Sequence, residues 1–373
     1  MLEKDSFSIL HTEWSNGWGG QEQRIILECR KMIQLGHRVV IACQPGSGIL
    51  AKAREQGIPV EEVVMRGSID PLAVWSLYRV IRKHGVNVVS SHSGKDTWSA
   101  AFAAKLARVE LLVRTRHLSL PVSNHLFNFV YRMVDGIVTT GEALRNTMIA
   151  DNGVSPDKIV SIATGVSLER FDAGCAAVPQ LKAEFGIPEG APVVTMVAVL
   201  RGMKRHDLLV AAAAQLRAQF PEARYLVVGD GPQGWIVDLL RDAGLEDRFI
   251  LAGYRSDIPA ILALSDVVVL TSDRFEGVPQ SLSQAMVMGC PVVAAPIGGI
   301  PELVQDGRTG LLAQSGDAVS FANAIARLLA DKTLRSTLGA AARAHIVAGY
   351  TDDIMVEKTL NFYQQLLAAK RAR

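Results

Sequence analysis

Short apolar runs alternate along this chain with longer stretches in which apolar residues recur every three or four positions. Residues 7–10 (FSIL), 39–42, 60–65, 86–90 and 111–113 read as strands, and so do 136–140 and 158–162. Between them, Ile25, Ile26, Leu27, Met32, Ile33 and Leu35 fall at helical spacing in a stretch that Gly36 ends, and 49–56 and 71–84 continue as helices. After a looser, Gly- and Pro-containing stretch at 172–192, the pattern restarts with strands at 193–199, 225–228, 249–252, 266–270 and 291–295. Helices follow at 318–330 and 334–348, and a last one at 350–367. Strands and helices alternating at this pace predict parallel, doubly wound sheets, in which ligands collect beyond the carboxyl ends of the strands.

Length turns this pattern into two domains, because 373 residues exceed what one compact core accommodates. A hydrophobic content of 49% with only 6% aromatic residues fits a globular α/β protein, and a net charge of +2 excludes a strongly basic nucleic-acid binder. Four cysteines (Cys29, Cys43, Cys175 and Cys290) show no CxxC spacing and are expected to be reduced thiols of a cytoplasmic protein. Residues 1–8 carry charges of both signs, unlike a signal peptide, and no apolar run approaches the roughly 18 residues that span a bilayer. Any membrane contact is therefore expected to be peripheral, at the cytoplasmic face of the inner membrane.

The densest candidate chemistry lies at 272–302, SDRFEGVPQSLSQAMVMGCPVVAAPIGGIPE. A strand runs out into a charged, glycine-containing loop, and a helix begins near Pro279 or Ser281. The free N–H groups and positive dipole end of such a helix suit a phosphate or diphosphate. Glu276 stands before the helix and Gln284 about one turn inside it. The next strand opens into Gly298-Gly299-Ile300-Pro301-Glu302, where backbone can approach a ligand closely and a carboxylate follows. An ordinary βα unit with a surface Glu is the plainer reading of any one of these residues.

The run FEGVPQSLSQAM..G.PVVA...GGIPELV.DG.TG resembles the nucleotide-sugar site of the retaining GT-B glycosyltransferases of family 4. The resemblance implies two Rossmann-like domains facing across a cleft: an acceptor-binding domain at 1–172, a linker at 173–192, a nucleotide-sugar domain at 193–349, and a helix at 350–373 that crosses back to the first. In that family two Glu residues with seven between them bind the donor. Here the first is Glu276 and the second is replaced by Gln284, which can accept and donate a hydrogen bond but lacks the charge assistance of a carboxylate. Gly277, Val278, Pro279 and Glu302 join the implied donor set.

Other parts of the chain match less densely. Gly17, Gly19 and Gly20 form a loop before the first helix, and the resemblance lays Gly19 and Gly20 under the donor diphosphate; a plain glycine linker is the alternative. Arg201 and Lys204, in LRGMKRHDLL, match a cationic pair that neutralises the leaving diphosphate. His117, in VRTRHLS, stands where the family has a histidine close to the donor sugar. The implied catalytic set is thus His117, Glu276, Arg201 and Lys204. His92 and Asp96 beyond one strand, and Arg114 and Arg116 beyond the strand at 111–113, are expected to line the cleft and meet the acceptor. Residues 121–133 read as a core helix in preference to an amphipathic helix at a membrane.

Residues 229–234 (GDGPQG) spell a GxGxxG after a strand, which alone would point to a dehydrogenase. The following strand ends in Gly253-Tyr254 and lacks the acid that holds an adenosine ribose. The family carries a similar turn here, so Gly229 and Tyr254 are assigned to the donor.

The function implied is transfer of a hexose from a nucleotide sugar, UDP-linked in preference to GDP-linked, with retention at the anomeric carbon. The acceptor implied is a cell-envelope glycan or lipid-linked glycan such as lipopolysaccharide core. No Asp-x-Asp occurs in the chain, so metal independence is expected, with no cofactor beyond the donor substrate. A catalytically weak homologue that binds nucleotide sugars as a regulatory partner is the alternative, motivated by Gln284.

Overall fold

A computed structural model describes residues 6–117, 129–171 and 178–372. The chain forms two compact units, one built from Met1–Gly165 with Asp352–Arg373 and the other from Val166–Thr351.

The first unit contains β1 (Ser8–Glu13), β2 (Arg38–Cys43), β3 (Val60–Glu62), β4 (Val88–Ser91), β5 (Leu111–Arg116), β6 (Gly136–Thr139) and β7 (Ile159–Ser161). They form one sheet in the order β3-β2-β1-β4-β5-β6-β7, every pairing parallel. Strand order reverses between β1 and β4, where His11 lies opposite Ser90 and Thr12 opposite Ser91. Helices cover both faces. Leu10, Val40, Val89 and Leu112 pack with Ala73, Leu77, Ala100 and Ala104 on one side, whereas Ile9, Ile41, Val88 and Val113 pack with Ile25, Cys29 and Met32 on the other.

Local chemistry sets the helix ends. Asp70 accepts from the N–H groups of Leu72 and Ala73 to start the Pro71–His84 helix, and Gly85 closes it in the left-handed conformation. The Asp352–Arg371 helix adds Met355, Val356, Phe362, Tyr363, Leu366 and Leu367 to the first unit's core. It crosses β6 where Gly136 leaves no room, since a Cβ there would lie 2.4 Å from Leu366 Cδ1.

The second unit repeats the plan with β8 (Val193–Val197), β9 (Arg224–Val228), β10 (Phe249–Gly253), β11 (Val267–Leu270), β12 (Val292–Ala294) and β13 (Leu311–Leu312). Their order is β10-β9-β8-β11-β12-β13, again all parallel, with the reversal between β8 and β11.

Several expectations change. Residues 178–192 are no linker: a Val178–Glu184 helix sends Leu181 into the second unit's core beside Ile187, Ala191 and Val193. The Pro and Gly residues there shape turns, with Gly186 and Gly190 at positive φ. The second unit accordingly starts at Val166. β1 continues past Leu10 to Glu13, and β5 continues through Arg114 to Arg116. A Gly94–Ala107 helix occupies a stretch to which the hydrophobic pattern assigned no element. Residues 118–128, most of the expected helix at 121–133, lie outside the described residues, and Val130–Met133 is helical. Cys29, Cys43 and Cys290 are buried free thiols, while Cys175 lies outside the described residues. Among the described residues no helix is long and apolar enough to cross a membrane.

Candidate active site

In each unit the strand order reverses once, and the polar residues of interest gather at the carboxyl ends of the strands beside that reversal, where sheets of this kind bind ligands. In the first unit β1 ends in His11, Thr12 and Glu13, all buried. Thr12 Oγ1 donates to Asp96 Oδ2 at 2.5 Å, and the same carboxylate accepts from the N–H of His92 (3.1 Å) and the N–H of Ser93 (2.8 Å). Ser93 and Asp96 thereby form a reciprocal cap on the Gly94–Ala107 helix. Asp96 is 0% exposed, so its carboxylate holds the β4 loop to β1 and is not placed to meet an acceptor.

His92, Arg114 and Arg116 also lie beneath the surface. Arg114 donates to the Ser93 carbonyl, and Arg116 donates to Tyr131 Oη at 2.5 Å. The expected acceptor-contact set is thus held by partners within the first unit: Arg114 and Arg116 belong to β5, His92 follows β4, and Asp96 lies in the first turn of the Gly94–Ala107 helix.

His117, half-buried at the end of β5, is joined to two other histidines. Its Nε2 lies 2.9 Å from His92 Nδ1, and His92 Nε2 lies 2.9 Å from His11 Nδ1. Burial lowers the pKa of all three, and Arg24 and Arg114 push those of His92 and His117 further down. Sequence reasoning missed His11 and Glu13; the signal available was a polar HTE continuing an apolar strand. Burial, and then the nearby Asp96, push Glu13 up to about 8. It accepts from the N–H of Ser15 at 2.7 Å and from the Gln21 side chain, at the base of the glycine loop. In that loop Gly19 caps the Gly20–Gln34 helix and donates its N–H to Glu22 Oε2 at 2.8 Å, while Gly20 is exposed.

In the second unit the loops after β8, β9, β11 and β12 meet with almost no room for side chains. A Cβ at Gly229 would lie 1.9 Å from the Ala198 carbonyl oxygen, and one at Gly298 would lie 1.9 Å from that of Glu276. A Cβ at Gly299 would meet the Gly277 carbonyl carbon at 2.7 Å. The glycine at 229 thus serves loop-to-loop packing, which accounts for the GxGxxG spelling without a dinucleotide.

Glu276 is buried beside the start of the Gln280–Val287 helix. Its Oε1 accepts from Ser272 Oγ at 2.5 Å and forms an ion pair with Lys204 Nζ. Arg201, exposed, precedes the single turn Gly202–Lys204. Thr271 Oγ1 fastens that turn to the end of β11 by donating to the carbonyls of Lys204 (2.9 Å) and Arg205 (2.8 Å). Arg205 keeps a left-handed backbone (φ 52°) while its guanidinium bonds Asp207 and Asp273.

Lys204, Glu276 and Gly277 are therefore brought together with the Gly298–Gly299 wall. Val278 and Pro279 are buried at the helix start, and Gln284 is half-buried one turn in. Tyr254, 57% exposed, follows Gly253, whose carbonyl accepts from the Gly229 N–H at 2.9 Å. Glu302 lies in the Ile300–Leu303 turn, its carbonyl accepting from His345 and Tyr350. Among the described residues no group of three or more His, Cys, Asp or Glu side chains is arranged to hold a metal ion.

Comparison with known proteins bears on what these two groups of residues are. A family model described as "Glycosyl transferases group 1" matches residues 178–345, and one described as "Glycosyltransferase Family 4" matches residues 18–170. The UDP-Gal:alpha-D-GlcNAc-diphosphoundecaprenol alpha-1,3-galactosyltransferase of Escherichia coli is 30% identical over 317 residues, 81% of this chain and 81% of that protein. This chain belongs to glycosyltransferase family 4. Another relative, N-acetyl-alpha-D-glucosaminyl L-malate synthase of Bacillus anthracis, is 29% identical over 66% of this chain, and the match spans 64% of that protein's length. Anabaena Alr3699/HepE, solved in complex with UDP and glucose, superposes with a TM-score of 0.85 at 23% identity, covering 96% of this chain and 99% of that one. The two parallel-sheet units are those of the GT-B fold.

Proposed function

We propose that this protein transfers a hexose from a nucleoside diphosphate sugar to a hydroxyl group of a lipid-linked or cell-envelope glycan, with retention at the anomeric carbon. The observation that carries the reading is the Lys204–Glu276 ion pair, set at the mouth of a helix and walled by glycines that leave backbone accessible. A donor diphosphate laid there meets Lys204, Arg201 and the positive dipole end of the helix, which together offset the charge that develops as the diphosphate departs. Glu276, released from part of its pairing with Lys204, accepts hydroxyls of the sugar. The acceptor attacks from the face the diphosphate leaves, and its proton passes to a departing phosphate oxygen. His117 is assigned to the transfer step as a hydrogen-bonding group on the resemblance of its VRTRHLS context to the family. UDP is favoured as the carrier by the names of the Escherichia coli and Anabaena proteins. The lipid-linked acceptor follows the Escherichia coli protein's name alone, and such an acceptor would call for peripheral contact with a membrane face.

The test is a thermal-shift series with UDP, GDP, ADP, NAD and NADP, each with and without EDTA, followed by assays of UDP release from UDP-sugars. A rise in melting temperature with UDP that survives EDTA supports a metal-independent donor site. No response to any nucleotide overturns it. Binding without turnover on any acceptor favours a nucleotide-sugar-binding partner, the outcome to which Gln284 in place of a carboxylate would contribute. His117→Ala should lower the transfer rate by roughly 100-fold or more while UDP affinity stays unchanged.

A further inference from the structure

Three strands that are neighbours in the sheet, β1, β4 and β5, each place a histidine at or near the carboxyl end, and the three rings form one chain. Ring centroids are 5.1 Å apart for His11 and His92 and 5.2 Å apart for His92 and His117, with interplanar angles of 18° and 32°. Those separations match head-to-tail N–H···N bonds between ring edges, in agreement with the two 2.9 Å nitrogen contacts.

A neutral imidazole has one N–H and one bare nitrogen. His92 uses both nitrogens within the chain, so it donates in one direction and accepts in the other. Only two proton arrangements satisfy both contacts. In one, His11 Nδ1–H donates to His92 Nε2 and His92 Nδ1–H donates to His117 Nε2, leaving the His117 proton on Nδ1. In the other every bond reverses, His117 carries its proton on Nε2, and His11 buries an Nε2–H. Among the described residues His11 Nε2 has no hydrogen-bond partner, and in the same region Arg24 Nε and Glu28 Oε2 meet only as an ion pair at 3.5 Å, which leaves Arg24 Nη2 as a buried donor without an acceptor. A further unpaired N–H there costs more than a bare nitrogen in an environment already rich in donors.

We propose that His92 and His11 are positioning residues that hold His117 as the neutral Nδ1–H tautomer, so that His117 offers its ligand a hydrogen-bond donor and not a base. The assignment rests on the reading of His117 as part of the transfer site. The surroundings keep the chain uncharged. Burial is the main cause; Arg24 of the Gly20–Gln34 helix opposes a charge on His11 while Glu28 of the same helix favours one, and Arg24 with Arg114 of β5 oppose a charge on His92 and His117. Asp96 takes the backbone N–H of His92, leaving that ring for the chain. Tyr363, on the Asp352–Arg371 helix, bonds Ser90 and is held protonated by burial.

The test is side-chain ¹⁵N NMR on the full chain without substrate, with rings assigned by His11→Phe, His92→Phe and His117→Phe. The expected spectrum shows His117 protonated at Nδ1, bare at Nε2 and unchanged from about pH 5.5 to about 8, where an ordinary histidine changes charge. His92→Phe should release it to a tautomer mixture that titrates. In the transfer assay the same change should lower kcat roughly 10- to 100-fold with the donor KM within about twofold. A wild-type His117 protonated at Nε2, or one titrating normally, overturns the proposal even if His92→Phe fails to fold. So does a His92→Phe protein whose His117 keeps the wild-type spectrum. Because the spectra need no turnover, absence of transfer with every nucleotide sugar would overturn the functional reading alone.

Discussion

Glu13 and the three linked histidines pull the pH dependence of stability in opposite directions. A carboxyl raised to about 8 in the folded protein stays protonated while its unfolded counterpart ionises above its ordinary value of 4.5. Its contribution is therefore fully present at low pH and is lost as pH rises towards 8. The histidines have folded pKa values below 6.5, so what they contribute is present above 6.5 and is lost as pH falls. Glu13→Gln should flatten the alkaline limb: the fall in melting temperature between about pH 6 and about pH 9 becomes smaller than in the wild type, as read by calorimetry at each pH.

Gln284 makes the other prediction at this scale. A carboxylate there would form a charge-assisted bond to a ribose hydroxyl, about 1 kcal/mol stronger, so Gln284→Glu should tighten UDP binding roughly fivefold in titration calorimetry. An unchanged affinity would remove this position from the donor contacts. Glu276 and Gln284 could be found in the sequence because a dense motif fixes their spacing, and Lys204 because LRGMKRHDLL matches a family turn, less densely. His11 and Glu13 could not, since three polar residues after FSIL read as the end of a strand, and only the β1–β4 register shows the strand continuing past Leu10.

At the scale of elements, the loops after β11 and β12 act as one unit because backbone lies against backbone. Gly298 combines a φ of +52° with a Cβ direction aimed at the Glu276 carbonyl oxygen. Gly298→Ala should cost at least about 2 kcal/mol, from the left-handed conformation plus the collision. It should also abolish the thermal shift caused by UDP, because the loop carrying Glu276 must move. The alternation of strands and helices is readable for helices such as Pro71–His84 and Ala318–Ala330, but not for Glu142–Ala150 and Gly234–Ala243, to which the pattern assigned no element. The Gly94–Ala107 helix escaped because Thr97, Ser99, Ala100, Ala101, Ala103 and Ala104 are all buried, so small residues replace the amphipathic stripe that marks a helix in sequence. Arg114 and Arg116 read as lying beyond β5 for a related reason: in the sequence β5 seems to end at its last apolar residue, because charged residues that continue a strand inward carry no signal in hydropathy.

For the whole molecule, the decisive feature is that the second unit is inserted in the chain of the first. The loose composition at 172–192 suggested a linker, but its apolar residues belong to a core, and composition alone does not separate a turn-rich core segment from a tether. The Asp352–Arg371 helix carries much of the first unit's closure. Phe362 is 5% exposed and packs against Gly136, so Phe362→Ala should destabilise the protein by about 3–5 kcal/mol in denaturant titration. A smaller loss would mean that the helix contributes little to that core.

This arrangement also fixes an order of events during synthesis. All seven strands of the first unit leave the ribosome before the second unit is made, and the helix that covers Ile9, Val88 and Val113 leaves only after it. At about 5–20 residues per second, translating the intervening stretch of roughly 190 residues takes on the order of 10–40 s. For that interval this face of the seven-stranded sheet has the Gly20–Gln34 and Gly48–Glu55 helices but lacks Met355, Val356, Phe362, Tyr363, Leu366 and Leu367, so its core stays incomplete until residue 352 and its successors arrive.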